Sequence, residues 1–233
     1  MIGILLALQV NNWNEAYQDR KEERQILRQL RSEFQTNLDQ LHDKFALRER
    51  LLNSGIEILS LINNPTANIN PDTLDFLLSR TLPAPTFDAS LGVTSDIINS
   101  GKLYLIQNDT LRQLISGWNG DISFAIEEEI IWREHRDRTY IPFLTEKYSL
   151  RNIQNDLLND PAMVNIMTFN KNVRVATLIG KSMEKPEAAD FLNNSDLEDH
   201  ISNMLTFNYM AKIQMMGLQE KVETIIKMID SEL

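Results

Sequence analysis

Residues 14–63 read NEAYQDRKEERQILRQLRSEFQTNLDQLHDKFALRERLLNSGIEILSLIN, and the reading of this stretch decides the fold. It holds no proline and one glycine, Gly55. Leu38, Phe45, Leu52 and Leu59 recur every seven residues, and Leu27, Phe34 and Leu41 form a second such row with Leu30 beside it. A sevenfold apolar repeat of this length marks a helix that packs against others along its whole length. The opposite face carries Glu22, Arg24, Glu33, Lys44, Arg48 and Glu49 and is expected to be solvated. Eight acids balance eight bases between residues 13 and 50, so that face is not a patch for a charged partner. At 1.5 Å per residue this helix would span about 75 Å, as expected of a stalk leading into a bundle.

Outward from this helix, Asn63-Asn64-Pro65 is a stop, and Pro65, Pro71, Pro83 and Pro85 break residues 64–90 around one short helix near 72–80. A second short helix is expected over 91–100, ended by Gly101. Asn108 is the expected N-cap of a helix running to about 147, with the apolar row Leu111, Ile115, Trp118, Ile122, Ile126 and Ile130. Gly117 and Gly120 mark an expected kink or tight helix crossing on it, and Pro142 an expected bend. Residues 163–173 have a helical face, and Lys185-Pro186 breaks it. Ser195-Asp-Leu-Glu198 reads as a capping box. The last helix it opens runs to about 232, with the row Ile201, Leu205, Tyr209, Ile213, Met216, Val222, Ile225 and Ile229. The expected fold is therefore all-α: an elongated antiparallel helical bundle built on three long helices plus short connecting helices. Its domain is residues 14–233.

Composition narrows the function classes. The chain has 233 residues, a net charge of −10 and no cysteine. Disulfides, thiolate metal sites and cysteine nucleophiles are excluded, and the acidic balance argues against a nucleic-acid partner.

Residues 2–10, Ile-Gly-Ile-Leu-Leu-Ala-Leu-Gln-Val, are unlike the rest. They are about half of the roughly 20 apolar residues that cross a bilayer. They lack a basic leader and a small-residue cleavage site. Yet they end as a membrane span ends, in Asn11, Asn12, Trp13 and Asn14 before the first charges. The alternative is a sticky helix start docked on the bundle.

The run from Ile2 to Glu15 resembles the signature of a bacterial family of uncharacterised single-pass membrane proteins, a domain of unknown function. That family carries Gly-Ile-Leu-Ile-Ala-Leu-Gln-x-Asn-Asn-Trp-Asn-Glu after a longer apolar stretch, followed by a long charged helix. Ser100-Gly-Lys-Leu-Tyr-Leu-Ile-Gln-Asn-Asp-Thr-Leu-Arg112 is similar to a second family run, Ser-Gly-x-Leu-x-x-Ile-x-Asn-x-x-Leu-Arg. The order of the two motifs extends the resemblance over the whole chain. It implies an inner-membrane anchor and no known activity. Family members carry about ten more apolar residues and a basic segment before this point. The start at Met1 is therefore expected to be truncated or misassigned, with residues 1–13 the remnant of a spanning helix. The membrane-contacting residues would be Ile2, Ile4, Leu5, Leu6, Leu8, Val10 and Trp13. A basic segment ahead of the span favours a body outside the cytoplasm.

Chemical signatures are sparse. His42, His135 and His200 fall in separate helices without the Glu-x-x-His spacing of a di-iron bundle, and each is expected to be solvated. Gly180-Lys-Ser182 lacks the earlier glycine of a phosphate-binding loop. Glu134, His135 and Asp137 are the one acid/base grouping. Their plainer reading is an exposed face with Glu129–Arg133 and Glu134–Arg138 pairs one turn apart. Met204, Met210, Met215 and Met216 read as core filler. No metal or cofactor is expected. The leading expectation is a non-enzymatic membrane-tethered helical module that binds a protein partner or forms a homo-oligomer, with no output domain after the last helix. The alternatives are a small-molecule-binding, sensor-like bundle that signals through another protein, and an enzyme using residues 134–137.

Overall fold

Helix α1 runs unbroken from Ile2 to Ile62 in the computed structural model, which describes residues 2–64, 69–161, 179–183 and 187–233. The expected boundary after residue 13 is thus no break in the backbone: Asn11, Asn12 and Asn14 lie inside the helix. The chain continues through α2 (Pro71–Thr81), α3 (Gly92–Asn99), a 3-10 turn (Lys102–Leu105), α4 (Asp109–Ala125) and α5 (Glu127–His135). A wide π turn (Arg136–Tyr140) leads into α6 (Ile141–Lys147), then α7 (Leu150–Asn159), α8 (Ala188–Leu192) and α9 (Ser195–Glu232). Among the described residues there is no strand, and the protein is all-α as expected. The face expected over 163–173 and the Lys185-Pro186 break lie outside the described residues.

Caps explain several boundaries. Asn70 accepts from the Asp72 amide with Pro71 in the first helical position, and Asn108 accepts from the Leu111 amide at 3.0 Å. Gly101, at φ 72°, takes the left-handed conformation after α3 that glycine adopts without strain. The cap of α9 lies one residue earlier than expected: Asn194, not Ser195, accepts from the Asp196 amide at 2.9 Å.

The helix expected from 108 to 147 is divided. Gly117 and Gly120 lie inside the unbroken α4, and no neighbouring segment comes close to either one. The division falls at Ile126 and at the π turn. Pro142, just past that turn, supplies no N–H to the carbonyl four residues back, which disrupts regular α geometry there.

Internal packing divides the chain into two units, and α1 and α9 contribute to both. The first comprises 1–41, 88–124 and 216–233. Its core takes Leu27, Leu30 and Phe34 from α1, Leu111, Ile115 and Trp118 from α4, and Val222, Ile225 and Ile229 from α9. The Phe34 and Trp118 rings meet at 5.2 Å. The second comprises 42–87 and 125–215. Leu51, Leu52, Leu74, Leu78, Trp132, Tyr140, Leu144, Ile153, Phe191, Leu197 and Ile201 build its core. At Gly55 the α9 side chains Met204 and Leu205 fill the space a Cβ would need.

Burial in the long helices follows alternating steps of three and four residues. In α9 it falls on Leu197, Ile201, Met204, Asn208, Ala211, Met215, Leu218, Val222, Ile225 and Ile229. The middle of the expected row is therefore corrected. Tyr209, Ile213 and Met216 are exposed, and so is Met210, expected as core filler, because the buried sevenfold stripe runs one or two positions away from them. In α4 and α5 the stripe passes through Leu111, Ile115, Trp118, Ile122, Ala125, Glu129 and Trp132, leaving Ile126 and Ile130 at its margin.

Several members of the stripe are polar, and they serve backbone groups of the extended segment 82–91 and of the residues after it. Pro83 and Pro85 have no N–H to give a strand ladder, yet the segment's remaining backbone groups need partners. In the first unit, Gln40 bonds both the N–H and C=O of Asp88, and Asn37 both those of Ser90. Glu33 accepts from the amides of Val93 and Thr94, and Glu23 from that of Gln107. In the second, Arg48 donates to the Pro85 carbonyl, Trp132 to that of Pro83, and Glu129 accepts from the Phe87 amide at 2.8 Å. Glu33 and Arg48 are thus buried, against the expectation of a solvated face, because backbone groups on the neighbouring segment require them.

Arg48 and Glu129 form a buried ion pair at 2.6 Å. Burial lowers the proton affinity of the guanidinium, and the Glu129 charge opposes that effect. Replacing one member strands the other charge. Arg48→Met is expected to cost about 3–5 kcal/mol in denaturant unfolding followed by circular dichroism. A loss within about 1 kcal/mol would show that the pair does not hold the segment.

Candidate functional site

Two places in the described structure carry chemistry or surface that folding alone does not require. The first is the start of α1. Every residue from Ile2 to Asp19 is exposed, and the apolar ones lie on all sides of the helix. Ile2 is 76% exposed, Leu5 61%, Leu8 54%, Val10 64% and Trp13 74%, with Ile4 and Leu6 between them. The alternative of a tip docked on its own bundle is therefore corrected. A helix apolar on every face is stable where its whole circumference is covered. Past the first turn, whose N–H groups have no acceptor within the helix, its backbone bonds are satisfied internally. Ile2 to Trp13 rises about 16 Å, half the hydrocarbon thickness of a bilayer. Asn11 reaches Glu15 at 2.8 Å, and the Trp13 and Tyr17 rings sit 6.4 Å apart, an amphipathic collar where the first charges appear. Among the described residues no helix is long and apolar enough to cross a membrane.

The second is a cluster of rings. The wide turn after α5 presents His135, Thr139 and Tyr140 to α9, which brings His200 and Phe207, while α6 brings Phe143. His200 Nδ1 lies 3.5 Å from His135 Nε2. Trp132 and Phe207 flank His135 at 6.0 and 6.2 Å, and Phe143 faces His200 at 4.6 Å. Tyr140 is fully buried and shares a hydrogen bond with Thr81 at 2.8 Å. Two of the three histidines thus meet and are half-buried, against the expectation of solvated rings, and only His42 is exposed. A separation of 65 residues carries no sequence signal for that meeting.

Glu134, His135 and Asp137 do not form an acid/base set. Asp137 bonds its neighbour Arg136 at 2.8 Å, Glu134 pairs with Arg138 at 3.8 Å, and His135 turns to His200. The Glu134–Arg138 pair is as expected, whereas Glu129 is buried. Gly180-Lys-Ser182 is held in place by protein groups. Arg151 donates to the Ile179 and Gly180 carbonyls, Asn152 accepts from the Ser182 amide, and Lys181 sits among Asp72, Asp75 and Asp156 at 3.0–3.4 Å. Burial disfavours the Lys181 charge, but the bonds to Asp72 and Asp156 outweigh it and raise its pKa. Beside this cluster, α2 and the end of α7 border an open groove of about 390 Å³ lined by Asp72, Phe76, Arg80, Asp156, Asn159, Asp160 and Pro161.

No protein-family model, curated protein or solved structure matches the chain.

Burial lowers the proton affinity of both His135 and His200. At His200 the charge of His135 adds to the effect, and Asp196 and Asp199 oppose it. The folded state thus binds fewer protons than the unfolded chain, so stability is full above the ordinary histidine pKa of about 6.5 and falls as pH drops below it. Replacing His200 with Gln is expected to flatten the pH dependence of unfolding between pH 7 and pH 5, measured with a chelator present. An unchanged slope would show that folding does not disfavour the charged form of His200.

Proposed function

We propose that the protein is a membrane-tethered helical module, non-enzymatic, whose body binds a protein partner or a second copy of itself. The observation that carries the tether is the helix from Ile2 to Trp13, apolar on every side and uncovered by any described part of the protein. Fully burying one such side chain contributes about 1.5–3 kcal/mol, so seven of them amount to something on the order of 10 kcal/mol. A lipid surface covers all faces of a helix at once, which a single protein groove does not. The resemblance to the bacterial single-pass membrane family, with its Asn-Asn-Trp-Asn-Glu motif at residues 11–15, supports the same reading and an inner-membrane location with the body outside the cytoplasm. The mixed charges of the body and the absence of a converged acid/base set at Glu134, His135 and Asp137 favour binding over catalysis.

A second reading, a small-molecule-binding bundle that signals through another protein, is favoured by the groove between α2 and α7. It expects a metabolite-dependent thermal shift that Arg80→Ala abolishes.

Flotation with phospholipid vesicles tests the tether. The full chain is expected to float with the vesicles, and Leu5→Glu/Leu8→Glu to weaken partitioning by at least about 100-fold, since two buried leucines contribute roughly 3 kcal/mol or more. Equal partitioning of the two proteins would remove the tip from the membrane.

A further inference from the structure

The paired histidines have no part in the tether, and the core of the second unit is formed by other residues. Their hydrogen bonding prepares them for a different task. The Thr139 hydroxyl donates its one hydrogen to the His135 carbonyl at 2.6 Å, so towards His135 Nδ1, 3.1 Å away, its oxygen acts as an acceptor. That places the ring proton on Nδ1 and leaves the Nε2 lone pair facing His200. The distance from Nε2 to His200 Nδ1 is 3.5 Å. Two imidazole nitrogens bound to one tetrahedral ion at 2.0–2.1 Å stand about 3.3–3.4 Å apart.

We propose that His135 Nε2 and His200 Nδ1 form a two-imidazole site for a divalent transition-metal ion of the copper, nickel or zinc type. Water fills the remaining coordination positions. Among the described residues no three histidine or acidic side chains converge on such an ion, so these residues contribute two ligands. The ion replaces the hydrogen between the rings, and His200 then carries its own proton on Nε2. Thr139 is a positioning residue: by bonding the far nitrogen of a ligand it fixes the tautomer and the ring plane. Trp132, Phe143 and Phe207 form a dry wall around one side, while the half-exposed rings leave the other side open to water. Imidazole prefers these metals, with copper held tightest, whereas magnesium prefers oxygen ligands. The chain has no thiol to compete.

The test uses untagged full-length protein, stripped with chelator and kept in mild detergent. Titration calorimetry with Cu²⁺, Ni²⁺ and Zn²⁺ is expected to give one ion per chain, tightest for copper, and Mg²⁺ no binding. His135→Gln and His200→Gln are each expected to abolish that stoichiometric event, and His42→Gln to retain it. Thr139→Val is expected to weaken it by about tenfold or more, and Thr139→Ser to preserve it. Because the ring variants also disturb packing, the paramagnetic resonance of the Cu²⁺-loaded native protein is read as well, and two coordinated imidazole nitrogens are expected. No bound ion, binding undiminished in both ring variants, or fewer than two nitrogens on copper would overturn the proposal.

Discussion

Helix α1 carries apolar side chains at its start and along its length, and their surroundings change near Glu23. From there to Ile58 its stripe is buried by protein in steps of three and four residues. Before Arg20 every residue is exposed, and the apolar ones no longer form a stripe but surround the helix. One helix thus meets two environments. A stripe is satisfied by neighbouring helices on one side, whereas an apolar cylinder needs a medium on all sides. Asn11, Asn12, Trp13 and Tyr17 lie within the exposed part, before the stripe begins.

The covered part of the helix is specified by its polar members as much as by its leucines. An extended segment bearing Pro83 and Pro85 lies against helices rather than strands, so side chains must supply the partners a ladder would provide. Asn37 and Gln40 do so with both ends of their amides, and Arg48 and Glu129 with charge. Such contacts fix register: sliding the segment by one residue would leave buried charges facing the wrong backbone groups, at a cost of several kcal/mol. Hydrophobic burial favours helical packing in general, and these bonds select this one.

The sequence reveals the helices well and the polar contacts poorly. Periodicity alone identifies α1 and α9, and turn and cap residues locate α2, α3 and the start of α4, because those signals are local. Glu33, Arg48 and Glu129 defeat the same reading. Their burial is decided by backbone groups 37 to 61 residues away, and a charged residue in a repeat looks solvated until its partner is known. The π turn before Pro142 and the meeting of His135 with His200 are hidden for the same reason. The apolar tip is the opposite case. Its composition is plain in the sequence, and the structure adds that no described part of the protein covers it.

That uncovered tip is where the functional account rests. The chain lacks cysteine, so a single one placed at Leu6 or at Asp19 carries an environment-sensitive fluorophore without interference. On adding phospholipid vesicles, the label at residue 6 should shift to the blue and be quenched by quenchers attached to the lipid chains, while the label at residue 19 should stay in water. Identical emission from residue 6 with and without vesicles would contradict the account.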